Sequence, residues 1–415
     1  MGSRKGFTKL SILGVFAIIL FGGVLIATHE PGNPPFRLSQ ENAERDVALD
    51  NERTTVVARI ETTEETRPIT HAEPVSAVSE PPSKKEVPQY APQSGCTSNV
   101  NPRFTHSFSD LSTIDALNPI GGIGGGSPGR SYIGVKEGME APVYAPLDAI
   151  LQTIIYVDRG AGYGEYGLLF RVSCEVTILF DHIDRLSDKL KPYAPATPAA
   201  SSKTQDGKEL NLQIKAGELL GYSNGTELAR TFDFLVINYA KKNAYINPKR
   251  WEWDQALYGT CPYDYFTPDL KAQYYAKLGK PSDTGFIKAD SCGNPSHDVA
   301  GTASGGWFKG DSTDSRGEYL AIAHEYNDAR ISYRKDGMAF PSVQDVQQGN
   351  PYLNITDFSP QQFPEDITPG ESVCYEGNGM WGYIRLDSEM QLSLAKGSGA
   401  CPSAFPDSQA DTWIR

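Results

Sequence analysis

Apolar and polar residues alternate with a period of two through much of the chain beyond residue 132, a pattern of half-buried β-strands and not of helices. Residues 149–157 (AILQTIIYV), 167–172 and 175–183 read as successive strands, and in the last of these Val176, Ile178, Phe180 and His182 fall on one face. A further strand, residues 228–237, puts Phe232, Phe234 and Val236 on one face and Asp233, Leu235 and Ile237 on the other. Two tight turns frame the group, Ala145-Pro146-Leu147-Asp148 and Lys215-Ala216-Gly217-Glu218. Ahead of it, Asn101-Pro102-Arg103-Phe104 with Phe108 reads as an edge segment, and residues 192–211 as a polar insertion. Residues 121–129 (GGIGGGSPG) read as a surface loop. A dinucleotide cradle would open a helix, whereas Pro128 and the strand-like Tyr132-Ile133-Gly134-Val135 follow here.

From residue 247 the pattern changes. Trp251-Glu252-Trp253 and Cys261-Pro262-Tyr263-Asp264-Tyr265-Phe266 are dense in aromatics and are expected to form a seam against the preceding unit, with a sugar-stacking platform as the other reading. Thr267-Pro268 starts a short helix over residues 271–278. Candidate strands then follow at 301–309, 319–325, 329–333, 371–375, 381–386 and 390–394, enough for a small antiparallel barrel or sandwich.

The N-terminus changes the picture of where these units sit. Arg4, Lys5 and Lys9 precede residues 10–27, an uncharged run rich in Leu, Ile, Val and Phe that is long enough to span a bilayer. Bulky Leu25 argues against signal-peptide cleavage before residue 28, so an uncleaved anchor with a cytoplasmic N-terminus is expected. Residues 29–95, rich in Pro, Thr and Glu, bury too little apolar surface to order and are expected to be a disordered tether. The expected organisation is therefore an anchor at 1–28, a tether at 29–95, a β-domain at 96–245, an aromatic connector at 246–281 and a C-terminal β-domain at 282–415. The chain is mainly β in this reading and faces the periplasm or the cell surface.

Composition narrows the function classes. A formal charge of −13 over 415 residues, without a Lys/Arg cluster in the folded part, excludes a nucleic-acid partner on electrostatic grounds. Six cysteines without any C-x-x-C pair suit disulfides in an exported protein and not a zinc knuckle. Proximity along the chain suggests Cys96 with Cys174, Cys261 with Cys292 and Cys374 with Cys401, one of 15 arrangements.

Four elements in order, Val143-Tyr144-Ala145-Pro146-Leu147-Asp148, Phe180-Asp181-His182-Ile183, Lys215-Ala216-Gly217-Glu218-Leu219-Leu220-Gly221 and Phe232-Asp233-Phe234, resemble the lysostaphin-type zinc endopeptidase domain over about residues 104–240. The resemblance implies an antiparallel β-fold of the duplicated hybrid motif kind, and a zinc site built from an H-x-G-x-D segment, a strand-ending histidine and an H-x-H pair. Here the first segment has Tyr132 and Lys136 where the histidine and aspartate belong, the H-x-H pair is Phe232 and Phe234, and only His182 is retained. Zinc needs three protein ligands, and a lysine at a ligand position repels a dication. Strand alternation points Asp233 away from the face of its phenylalanine neighbours.

The expectation is thus a pseudoenzyme without cofactor. Tyr132, Lys136, His182, Phe232 and Phe234 would line a groove for a cell-wall polymer or an envelope protein. A zinc hydrolase acting on peptidoglycan, with His182 as its remnant, is the first alternative, and a structural spacer in a surface assembly is the second. His297 and His324 read as hydrogen-bonded structural histidines, since neither lies at metal-ligand spacing from another.

Overall fold

A computed structural model of the chain describes residues 95–122, 128–160, 163–199, 210–225, 231–282, 285–314, 318–325, 328–335, 338–339, 352–354, 362–377 and 380–415. The expected membrane anchor, nearly all of the tether, residues 123–127 of the glycine-rich loop and residues 200–209 of the polar insertion lie outside them. Among the described residues no helix is long and apolar enough to cross a membrane.

The protein is mainly β. The first unit contains β1 (Ile114–Leu117), β2 (Arg130–Val135), β3 (Ala141–Tyr144), β4 (Ala149–Gly160), β5 (Tyr163–Arg171), β6 (Val176–Ile183), β7 (Arg185–Leu186), β8 (Leu212–Ile214), β9 (Leu219–Ser223), β10 (Thr231–Asn238) and β11 (Gly259–Thr260). An antiparallel sheet runs in the order β1-β2-β10-β6-β5-β4-β8, with β11 beside β10, and a three-stranded sheet runs β3-β9-β7. The central strand β10, TFDFLVIN, is buried along its whole length, which suits its apolar and β-branched residues and makes its one charge expensive.

Register decides which residues share a face. Phe234 pairs with Ser131 on β2 and Phe180 on β6, whereas Asp233 pairs with Tyr132 and Asp181. Phe180, Phe232 and Phe234 belong to one apolar cluster with Val143 of β3 and Leu220 of β9, so this inner face meets the small sheet. Leu179, Leu235 and Ile237 form a separate cluster on the outer face with Leu169, Tyr239 and Tyr258.

The segment 101–108, expected at a sheet edge, instead sends Phe104 and Phe108 into the centre of the inner core. Phe104 and Phe108 are fully buried. The Phe108 ring lies 5.1 Å from Tyr274, 5.3 Å from Phe234 and 6.3 Å from Phe232, distances at which offset and edge-on ring pairs attract. Sequence spacing gave no sign of this, because the segment reaches the core as an arm and not as a strand. Its main chain is held by Thr105 N–H to Pro146 O at 2.9 Å and Phe104 N–H to Tyr265 O at 2.8 Å.

The aromatic connector divides between the two units. Tyr263, Tyr265, Phe266 and Tyr274 pack into the first core, while Tyr245 and Trp251 cluster with Phe308 and Tyr319 of the second unit. Two helices lie here, α1 (Asp254–Tyr258) and α2 (Pro268–Ala276), followed by the hairpin β12 (Gly279–Ser282) and β13 (Gly285–Lys288). Helix α2 begins with proline at its first position, where no amide is needed, and the Thr267 hydroxyl ahead of it makes no capping bond.

The second unit is a single antiparallel sheet among the described residues. It comprises β14 (Gly305–Phe308), β15 (Tyr319–Glu325), β16 (Asp328–Lys335), β17 (Met338–Ala339), β18 (Tyr352–Asn354), β19 (Ser372–Gly377), β20 (Met380–Ser388), β21 (Gln391–Ser398) and β22 (Asp411–Ile414). The order is β17-β16-β15-β14-β22-β21-β20-β19, with β18 also on β16. Leu320 and Ile322 from β15 share one core with Tyr375 of β19 and Ile384 of β20, so the sheet curls around its own apolar face.

All six cysteines are paired, Cys96 with Cys174, Cys261 with Cys292 and Cys374 with Cys401. The first bridge spans 78 residues and straps the buried arm onto the turn before β6. Removing it by a paired Cys96→Ala, Cys174→Ala substitution is expected to cost roughly 2–5 kcal/mol, read as a lowered urea midpoint.

Candidate functional site

The charged residue inside β10 organises the most unusual chemistry of the molecule. Asp233 faces the outer side of the sheet, where its side chain is only 2% exposed, and its register partner Asp181 lies beside it on β6. Two carboxylates this close in a dry site repel strongly and require a cation. Arg130, at the start of β2, supplies it: Nη1 donates to Asp181 Oδ2 and to Asp233 Oδ2, both at 2.7 Å. The guanidinium Nε donates to Gln255 Oε1 at 3.3 Å, which ties α1 to the same group. Burial opposes the charge on Arg130, but Asp181 and Asp233 outweigh it and hold the guanidinium firmly protonated.

His182 joins this network by leaving the strand pattern. Strand alternation places it on the inner face with Phe180, yet its φ of 61° breaks the alternation and carries the imidazole to the carboxylates of the outer face. The strained backbone is fixed on both sides, with His182 N–H donating to Asp181 Oδ1 at 3.1 Å and Ser223 Oγ donating to His182 O at 2.8 Å. Ring atom Nδ1 lies 2.6 Å from Glu165 Oε2, and Nε2 lies 3.5 Å from Asp233 Oδ2. Burial pulls the imidazolium pKa down, but the charge of Asp233, the Glu165 hydrogen bond and the Asp181 charge push it up to about 9. At neutral pH His182 is therefore a second cation, and a protonated imidazole has no lone pair for a metal.

Packing around the network is tight. A Cβ on Gly167 would sit 3.0 Å from Asp181 Oδ1 and 3.3 Å from Ile155 Cβ, so the absent side chain makes room for the carboxylate.

The His182 pKa makes stability depend on pH. A histidine whose folded pKa exceeds its unfolded value of 6.5 adds stability that is complete below pH 6.5 and is lost as pH rises through about 9. That rise corresponds to on the order of 3 kcal/mol. Denaturant melts from neutral to alkaline pH are expected to show the loss in the wild-type chain and a much flatter profile in His182→Gln.

The fit of a divalent metal to this place can be tested on its donors. Oxygens or nitrogens of Asp181, His182 and Asp233 lie within 4.8 Å of one another, which by distance alone is a metal-like grouping. Each carboxylate already has an Arg130 nitrogen at 2.7 Å, and imidazole Nδ1 is held by Glu165 while Nε2 faces Asp233 at 3.5 Å. Asp233 Oδ1 has no hydrogen bond among the described residues, but it and His182 Nε2 together fall short of the three protein ligands that zinc needs. The residues do not fit a metal while Arg130 is in place, because the guanidinium stands where the ion would.

The five residues expected to line a groove are not brought together. Phe232 and Phe234 are fully buried in the inner core, so neither meets a ligand. Tyr132 is half-buried on the outer face opposite Asp233, and Lys136 lies beyond the end of β2, where its N–H donates to Thr113 O at 2.9 Å. Of the five, only Tyr132 and His182 approach the charged network. Asp233 does point away from its phenylalanine neighbours, but that direction leads to His182 and not away from it. His297 is bound elsewhere, with Nε2 at 2.5 Å from Gly121 O, and the His324 side chain lies outside the described residues.

Arg130, Glu165 and Asp181 were not singled out by sequence reasoning, and Asp233 was weighed only as a metal ligand and set aside. The available signal was a lone acidic residue inside each of two otherwise apolar strands, VTILFDHI and TFDFLVIN. A buried acid demands a partner, so each announces a cation, though not which one.

No protein-family model matches the chain, and no curated protein sequence does. Among solved structures, one described as the NMR solution structure of lysostaphin matches with 13% identity over 74% of this chain and 90% of that one, at a TM-score of 0.22. At that score the likeness bears on neither the fold nor the activity of this chain.

Proposed function

We propose that the chain is an exported, membrane-anchored cell-envelope protein whose first β-unit is a non-catalytic relative of lysostaphin-type peptidases, used for binding or scaffolding. The observation that carries this reading is that Arg130 bridges the two aspartates beside His182 while Glu165 holds imidazole Nδ1. A hydrolytic zinc centre needs an open coordination position and a water to acidify, and an internal guanidinium supplies neither. Three disulfides support an oxidising compartment, and residues 10–27 supply the anchor. The partner in this reading is a cell-wall polymer or an envelope protein, met by exposed surface, since the inner face is filled by the chain's own aromatics.

Incubation of the protein with purified sacculi tests it. Co-sedimentation without release of soluble fragments is expected. Fragment release that disappears in His182→Ala would establish a hydrolase instead.

A further inference from the structure

The two β-units are joined through residues 245–254, and two acidic side chains clasp that segment to the second unit. Asp298 accepts Ile246 N–H at 2.7 Å and Gly306 N–H at 2.9 Å. At the other end Asp314 Oδ1 accepts Glu252 N–H at 2.6 Å, Oδ2 accepts Trp253 N–H at 3.4 Å, and Asp314 N–H donates to Arg250 O at 3.0 Å. Between them Trp251 stacks on Tyr245 at 4.3 Å and meets Phe308 edge-on at 5.4 Å. Its ring also occupies the space that a Cβ on Gly306 would need. Immediately after Trp253 the chain enters α1, whose Gln255 holds Arg130 of the first unit. Residues 252 and 253 thus stand between the Asp314 clasp and the helix that meets Arg130.

The two clasps differ in their surroundings. Asp314 is buried, and among the described residues no ion pair reaches it. Arg250, one of two cations on the joining segment with Lys249, sends Nη1 to Gly310 O at 2.7 Å and Ser312 O at 3.1 Å instead. The ionisable groups that act on Asp314 and Tyr245 here are Glu252 and Tyr245 on the joining segment and Asp298 and Tyr319 on the second unit, while the cation Arg415 sits by Asp298 at the other clasp.

We propose that Asp314 makes this junction an acid-tightened latch between the two β-units. A protonated carboxyl still offers an oxygen to Glu252 N–H, and it removes an uncompensated buried charge from the seam. Burial raises the Asp314 carboxyl to about 7, against the lowering effect of the Glu252 and Trp253 amides. Because the folded value lies above the unfolded 3.8, the added stability is complete below pH 3.8 and is lost as pH rises through about 7. Mild acidification would thus stiffen the link between the units, and neutral pH holds it near its midpoint.

Amide hydrogen exchange on the full-length chain tests the latch, read as protection factors at Glu252 and Trp253. Between about pH 6 and about pH 4.5 these are expected to rise by about tenfold or more in the wild-type chain. In Asp314→Asn they should stay at the high, acid-like level at both pH values. Leu235 in β10 serves as the internal reference, since the His182 contribution to stability is already complete in this window. Wild-type protection that does not change at Glu252 and Trp253, a rise of equal size at Leu235, or an unchanged pH response in Asp314→Asn would each overturn the proposal. The first two outcomes need no variant, so a failure of Asp314→Asn to fold leaves the test intact.

Discussion

Arg130→Met is expected to destabilise the protein by roughly 3–5 kcal/mol, because it leaves two buried carboxylates facing each other without their shared cation. Methionine keeps much of the apolar stem, so the loss reports the charge and not the packing. Arg130→Lys should recover only part of it, since a single ammonium cannot bridge both aspartates while also donating to Gln255. A second substitution separates the electrostatic explanation from a general sensitivity of the site. Removing one acid as well, in Arg130→Met with Asp181→Asn, should be less harmful than Arg130→Met alone. The pair lies in direct contact, so a double-mutant cycle would show strong coupling. Equilibrium denaturation of the wild type, Arg130→Met, Arg130→Lys, Asp181→Asn and the double variant measures all of this; additive effects would show that Arg130 is not the network's cation.

Phe108→Ala is expected to cost a similar amount, roughly 3–5 kcal/mol, because its fully buried ring leaves a cavity lined by other rings. The surrounding rings come from β6 (Phe180), β10 (Phe232 and Phe234), the connector (Tyr263 and Phe266) and α2 (Tyr274), so the site has little freedom to collapse. Phe108→Leu should be milder. The same calorimetric or denaturant measurement on a surface aromatic such as Phe286, which is 45% exposed, should show little change. A small effect at Phe108 would mean that the arm is not part of the core. It would also reopen the inner face as a groove.

Strand positions were readable in the chain because burial on one face forces period-two alternation. The strand expected at 175–183 corresponds to β6 (Val176–Ile183), and the one expected at 319–325 to β15 (Tyr319–Glu325). The turns at 145–148 and 215–218 fall between strands as turn chemistry requires. The pairing of nearest cysteines was readable for a different reason, since short loops are the least costly in entropy to close.

What alternation cannot supply is register between strands distant in sequence. Arg130 and Asp233 stand 103 residues apart, and nothing local to either names the other. His182 shows a second limit: one left-handed residue at a strand end reverses the face, and a non-glycine residue gives no warning of it. The arm at Phe104 and Phe108 shows a third, for an irregular segment has no period and its burial is invisible to pattern. Residue identities near the resembled zinc site were sufficient to question the metal, but not to find the guanidinium that takes its place.

Metal stoichiometry of the purified chain is the most direct test of that substitution. If Arg130 is the resident cation, elemental analysis after dialysis should find far less than one zinc per chain. A chelator should then leave the thermal midpoint unchanged. One tightly held zinc per chain, with a midpoint that falls when the metal is stripped, would contradict the account.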